Sequence, residues 1–270
     1  MHNAAFAALG LNWRYLAFEV HPDNLRTAIA GAGAMQFAGL NLTVPHKLLA
    51  LEMMDALDES AKKWGAVNTV KFETGTDGRT RSVGFNTDAD AIVAALREDL
   101  QVPLTGAKVL LVGAGGAGRT AALRLAAESV AELFLVNRTR SKAEKIADEI
   151  RKQFPSTKTV LSVGYPQAAV DLVMNATSLG LKSGDPSPLD ESKFPLRRAK
   201  VVYDMVYNPP ETALLGAAKA AGCRVANGLG MLLHQGARAF EIWTGKPAPL
   251  AVMRRALEQA VYGNARETGH

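Results

Sequence analysis

The chain has 270 residues, 48% hydrophobic and 21% charged, enough for one large domain or two modest ones with a sizeable core. Its net charge of +5 suits an anionic ligand. No long Lys/Arg block appears, and the aromatics, at 6%, are not interleaved with basic residues, which counts against nucleic acid as a partner.

No apolar run approaches the length of a membrane span, and MHNAAFAALG lacks the basic and apolar regions of a signal peptide. The lone Cys223 allows no intrachain disulfide, so a reducing, cytoplasmic location is expected. No metal site is read from the sequence.

In chain order, the amino end reads as a helix that begins at once. WRYLAFEV (13–20) reads as a strand and Pro22 to Gly31 as a helix. MQFAGLNLTV (35–44) reads as a strand and 45–57 as a helix. AVNTVKF (66–72) and RSVGFN (81–86) read as strands around the turn GTDG, followed by a helix from Asp88 to Leu100. Strands alternating with helices predict an α/β layer with a mostly parallel sheet.

QVPLTG (101–106) then breaks the pattern as a hinge between domains. Beyond it, AKVLLVG (107–113) is a nearly continuous apolar run, the mark of a strand buried on both faces. A helix over 117–129, a strand AELFLVN (131–137), a helix over 140–153, and strands DLVMNAT (171–177) and KVVYDMVY (200–207) follow. The tail 231–262 is helical apart from the turn TGKPAP.

GAGGAG (113–118) places glycines in the pattern G-x-G-x-x-G, after a buried strand and before a helix. In that setting Gly113 permits a tight turn, Gly115 lets a pyrophosphate approach the backbone, and Gly118 lets helix and strand pack closely. The next strand ends at Asn137, where an NAD site would carry Asp or Glu. A basic run follows, in which Arg138 can clamp a 2′-phosphate, with Thr139 and Lys142 beside it. This favours NADP over NAD. The bland alternative is a Gly-rich turn with solvated charges beyond it.

In GLNLTVPHKLLA (39–50), Thr43 reads as an N-cap and Pro45 as the first helical residue, which puts Lys47 in the first turn. The helix dipole opposes a positive charge there, and a lysine eased toward the neutral amine can take or give a proton. Alone, Lys47 reads better as a solvated lysine. GAVNT (65–69) and GFNTDAD (84–90) add Asn68 and Asp88. Asp88 at a helix start is first of all a cap, but close to Lys47 it would form a proton-transfer pair.

The segments GLNLTVPHK, GAVNT, GFNTD, GAGGAG, NRT, NATSLG, DMVYNPPETALL and NGLGMLLHQGARAFEIWTG run in order over nearly the whole chain. Together they make it resemble the shikimate dehydrogenase family. The resemblance implies two α/β domains. One is an N-terminal substrate domain, residues 1–101 with 233–270. The other is a Rossmann-type NADP-binding domain, residues 102–232, with the C-terminal helices returning to the first.

It further implies that Lys47 and Asp88 are catalytic. Thr43, Asn68, Tyr207 and Gln235 would hold substrate. Gly113, Gly115, Gly116, Ala117, Gly118, Asn137, Arg138, Thr139 and Lys142 would hold NADP, with Thr177 and Gly228 beside the nicotinamide. Met231 fits packing better than chemistry, because the tail's apolar stripe needs a core residue there. The implied reaction is NADPH-dependent reduction of 3-dehydroshikimate to shikimate. The resemblance allows a homodimer, although the sequence itself does not fix an oligomeric state.

Family members carry a strand and an H-S-x-S-P-x-M-H-N segment, whose serines bind the substrate carboxylate. This chain starts at MHNAAF, matching the end of that segment, so the strand and serines are expected to be missing from it. Either translation starts further upstream or the chain is a short form with weak or no catalysis. Ala89 also stands where the family often has Gly after the Asp. The rival readings are a quinate/shikimate dehydrogenase and, from another class, an NADP-binding module without catalysis.

Overall fold

Two sheets organise the chain in the computed structural model, which describes residues 1–182 and 184–263. Two compact units are built around them: Met1–Asp88 with the chain from Leu233 on, and Ala89–Leu232. The division falls at the start of the helix that follows GFNT, ahead of QVPLTG, which lies inside the second unit.

The first unit begins with α1 (His2–Ala8), a 3-10 turn (Pro22–Asn24), α2 (Leu25–Ala34), β1 (Gly39–Asn41) and α3 (His46–Leu49). β2 (Ala56–Leu57), α4 (Glu59–Trp64), β3 (Thr69–Thr74) and β4 (Thr80–Phe85) complete the sheet. Its order is β1-β3-β4-β2, and only the β2–β4 pair is parallel. The expected mostly parallel layer is therefore wrong for this unit: GTDG is a hairpin turn, and a hairpin forces β3 and β4 to run antiparallel.

α4 is well bounded, with Asp58 accepting from the Ser60 N–H at its start and Gly65 in the left-handed conformation, φ 60°, at its end. Leu25, Ile29, Leu42, Val67 and Val70 form the core beneath the sheet.

Two further expectations are corrected here. WRYLAFEV (13–20) joins no strand among the described residues. Its backbone at Tyr15 is held instead by the Asn3 side chain, which accepts from Tyr15 N at 2.7 Å and donates to Tyr15 O at 3.0 Å. The expected helix 45–57 holds only four α-helical residues before a 3-10 turn (Ala50–Met53) and β2.

The second unit contains α5 (Asp88–Leu100) from its second residue on, β5 (Lys108–Val112), α6 (Gly116–Ala127), β6 (Glu132–Val136), α7 (Arg140–Gln153), β7 (Val160–Val163) and β8 (Val170–Asn175). A 3-10 turn (Leu196–Arg198), β9 (Ala199–Asp204), α8 (Ala213–Ala220) and β10 (Arg224–Asn227) follow. The sheet is wholly parallel in the order β10-β9-β8-β5-β6-β7, the doubly wound arrangement of a Rossmann unit.

β5 forms because KVLLV can be buried on both faces. α7 forms on the stripe Ala143, Ile146, Ala147 and Ile150. α9 (Leu229–Thr244) starts in this unit, and its body belongs to the first, as does α10 (Leu250–Tyr262). In the first unit, Phe240 of α9 stacks on Phe6 of α1, and Trp243 donates to Val70 O at 2.9 Å. No helix among the described residues is long and apolar enough to cross a membrane.

Candidate functional site

In the first unit, Lys47 on α3 and Asp88 at the start of α5 form an ion pair, Nζ to Oδ2 at 2.7 Å. The sequence-based reason for singling out Lys47 is revised. Thr43 does not cap the helix: its carbonyl accepts from His46 N, which closes a turn, and α3 starts after Pro45. A helix of four residues carries little dipole. What marks Lys47 is its carboxylate partner, with its side chain 30% exposed against 11% for Asp88.

Asp88 is held from its other oxygen too. Asn68 Nδ2 donates to Asp88 Oδ1 at 2.9 Å and to Thr87 Oγ1 at 2.9 Å, while Asn68 Oδ1 accepts from Thr87 N at 2.8 Å. The reading of Asp88 as the helix cap is corrected, because it is Asn86 Oδ1 that accepts from Asp88 N, at 3.1 Å. Asn86 therefore caps the helix and leaves both Asp88 oxygens for side chains. Asn68 is 2% exposed and both its amide hydrogens are engaged within the protein. Thr43 lies exposed in the turn before α3, and Gln235 is half-buried on α9.

In the second unit the glycine loop joins β5 to α6. Gly113 has φ 113°, and a Cβ there would stand 2.8 Å from the Ala176 backbone. A Cβ on Gly118 would overlap the Gly113 carbonyl oxygen. Gly115 and Gly116 face open space, so the loop is tight where it packs and open where a phosphate would approach.

Ala117 is exposed in the first turn of α6. Asn137 Oδ1 accepts from Ala114 N at 3.1 Å, and its Nδ2 donates to Thr139 O at 2.9 Å, so it ties the glycine loop to the end of β6. Arg138, Thr139 and Lys142 are all exposed beyond it. These residues fit a nucleotide carrying an extra phosphate.

Thr177 follows β8, its hydroxyl donating to Asn175 Oδ1 at 2.8 Å and accepting from Leu179 N at 3.1 Å. Asn175 in turn donates to Asp204 Oδ1 at 2.8 Å, and Asp204 Oδ2 accepts from Thr212 at 2.7 Å. Burial, without a cation partner in these bonds, pushes the Asp204 carboxyl above its ordinary value. Tyr207 is half-buried just beyond β9, and Gly228 has no room for a Cβ against the Met205 carbonyl.

Three family models match the chain: shikimate dehydrogenase substrate binding domain over residues 1–70, shikimate / quinate 5-dehydrogenase over 95–182, and shikimate 5′-dehydrogenase C-terminal domain over 228–258. Shikimate dehydrogenase (NADP(+)) of Methanopyrus kandleri is 40% identical over 95% of this chain and 89% of its own length. The enzyme of the same name from Moorella thermoacetica is 43% identical over 97% of this chain and 88% of its own.

The chain belongs to the shikimate dehydrogenase family. Among solved structures, shikimate 5-dehydrogenase of Thermus thermophilus, in complex with NADP(H) and shikimate, superposes with a TM-score of 0.82. It is 36% identical, over 96% of this chain and 92% of its own.

Of the residues singled out from the sequence, Lys47, Asn68 and Asp88 come together within one unit, and the glycine loop meets Asn137 within the other. Sequence reasoning missed Thr69, Thr87, Asn41, Asn175 and Asp204. Each is polar and lies in or beside an apolar strand or a strand end, which was the available signal.

Proposed function

We propose that this chain catalyses the reversible NADP(H)-dependent reduction of 3-dehydroshikimate to shikimate. The observation that carries the reading is the Lys47–Asp88 pair, 2.7 Å apart and partly buried, in a chain of this family. Bound NADP(H) supplies or accepts the hydride.

The chain's own residues manage the proton. In the reducing direction the Lys47 ammonium gives a proton to the substrate oxygen as the carbonyl becomes a hydroxyl. In the oxidising direction the neutral Lys47 amine takes that proton back. Asp88 faces Lys47 in both states and offsets the ammonium charge. Thr43 and Gln235 are assigned to the substrate hydroxyls and Tyr207 to its carboxylate. Asn68 acts on the substrate through Asp88, since its amide hydrogens are already engaged.

On the cofactor side, Gly115, Gly116 and Ala117 receive the pyrophosphate at the start of α6. Arg138, with Thr139 and Lys142, holds the 2′-phosphate. Thr177 and Gly228 border the nicotinamide.

Initial rates with shikimate and with quinate, each on NADP+ and on NAD+, test the proposal. Shikimate with NADP+ should be the best pair. Equal or better rates on quinate, or on NAD+, would overturn the substrate or the cofactor assignment respectively. NADP+ binding without turnover of shikimate would instead support a binding module.

A further inference from the structure

Asp88 terminates a run of side-chain hydrogen bonds that crosses the first unit's sheet. Tyr15 Oη donates to Asn41 Oδ1 at 3.0 Å. Asn41 Nδ2 donates to Thr69 Oγ1 at 2.9 Å and to Asn68 O at 3.3 Å. Thr69 Oγ1 donates to Asn68 Oδ1 at 3.3 Å. Asn68 Nδ2 then donates to Asp88 Oδ1, whose other oxygen holds Lys47.

The sheet register builds this alignment: Asn41 of β1 stands opposite Thr69 of β3, which stands opposite Phe85 of β4, two residues before Thr87. Thr69 is 0% exposed and Asn68 2%, so neither trades these bonds for water.

The donors point inward from Asn41. Asn41 spends amide hydrogens on Thr69 and on Asn68 O, so the Thr69 hydroxyl hydrogen points onward, to Asn68 Oδ1 at 3.3 Å with Thr87 Oγ1 at 3.4 Å beside it. Asn68 Oδ1 also accepts from Thr87 N. With its oxygen held from two sides, the Asn68 amide must turn its NH2 group toward Asp88. The flipped amide would set an oxygen against the carboxylate and leave the Thr87 N–H unpaired. Each bond also polarises the next, with its positive end toward Asp88.

We infer that Tyr15, Asn41 and Thr69 are positioning residues, a one-way donor chain that locks the Asn68 amide and so aims the Asp88 carboxylate at Lys47. This rests on the reading of Lys47 and Asp88 as the proton-transfer pair. None of the three need touch substrate or cofactor. Their effect is expected in the rate of the proton-coupled step, not in cofactor binding.

The test is steady-state oxidation of shikimate with NADP+ by Thr69→Val, Thr69→Ser, Tyr15→Phe and Lys47→Ala. Thr69→Val keeps the shape and removes the hydroxyl, so kcat should fall about fivefold to tenfold with an unchanged KM for NADP+. Thr69→Ser restores the donor and should bring kcat back to within about twofold of wild type. Tyr15→Phe, at the far end and half-buried, should lower kcat by about twofold; it also serves as the test if Thr69→Val does not fold.

Wild-type kcat in both Thr69→Val and Tyr15→Phe would overturn the inference. So would a Thr69→Ser enzyme as slow as Thr69→Val, because that outcome assigns the loss to packing. Wild-type turnover by Lys47→Ala would instead overturn the proton-transfer reading beneath it.

Discussion

Lys47 Nζ and Asn68 Nδ2 grip opposite oxygens of the same carboxylate, Asp88, at 2.7 Å and 2.9 Å. The carboxylate therefore cannot rotate away from the lysine without breaking a second bond. If Lys47 is the general acid, it contributes by its proton, not by binding. Lys47→Ala is expected to lower kcat for shikimate about 10²- to 10⁴-fold while NADP+ still binds. Asp88→Asn should fall in the same direction. The check is to pair steady-state rates with fluorescence titration of NADPH; a loss of NADPH binding in either variant would contradict the assignment.

The glycine loop separates packing from binding. A Cβ at Gly118 would overlap the Gly113 carbonyl oxygen, so Gly118→Ala must push α6 off the loop, at a cost of about 1–3 kcal/mol in stability. Gly115 has an ordinary backbone, φ −83°, and a Cβ there meets nothing. If the pyrophosphate approaches the backbone here, Gly115→Ala should fold with a wild-type melting temperature but raise KM for NADP(H) about tenfold. Thermal melts and KM values on the two variants give opposite orders.

Arg138 lies exposed just past Asn137, which the glycine loop and Thr139 hold in place. If it binds the 2′-phosphate, Arg138→Ala should raise KM for NADP+ about tenfold to a hundredfold and leave KM for NAD+ nearly unchanged. An equal rise on both cofactors would point to a role in the loop's shape instead.

How much of this was legible follows from where the bonds run. α5 and α7 match the expected 88–100 and 140–153, and the glycine loop follows a buried strand, because each depends on local period and turn chemistry. The first unit was harder. WRYLAFEV has strand composition, but its backbone meets a side chain, Asn3, instead of a ladder. β2 is two residues long, too short to leave a pattern. Lys47 stands out in the sequence for a helix dipole that the four-residue α3 hardly provides. The Asn41–Thr69–Asn68 chain needs the strand register, and register is not written in any one segment.

Asp204 is fully buried, and its carboxylate accepts from Asn175, Thr212 and Val206 N. Burial raises its folded-state pKa, so the charged form is disfavoured by folding. The sign follows: any stability it confers in the protonated form is present below the ordinary carboxylate range and is lost as pH rises through the raised value. Asp204→Asn removes the charge and keeps an acceptor, so at neutral pH its denaturation midpoint should lie well above that of Asp204→Ala. The alanine variant strands three buried donors, a cost of about 1–3 kcal/mol for each left unpaired. Asp204→Ala should also weaken NADPH, through Asn175 and Thr177. Equal midpoints for the two variants would show that the donors find other partners.

His2 sits 4% exposed against Tyr15, Phe6 and Trp243, with ring centroids 4.4 Å, 6.3 Å and 5.4 Å away. Burial in this aromatic setting lowers its pKa from 6.5 to about 4. The folded state therefore holds the neutral ring, while the unfolded chain takes up a proton below about pH 6.5. Between those two values the unfolded state binds more protons, so stability rises with pH and is lost on acidification. The full swing is on the order of 3 kcal/mol. His2→Phe keeps an aromatic ring and removes the titration. Urea unfolding from pH 7 down to pH 4.5 should show a steeper loss for the wild-type chain than for His2→Phe. Parallel curves would mean that His2 is reached by water in the folded state.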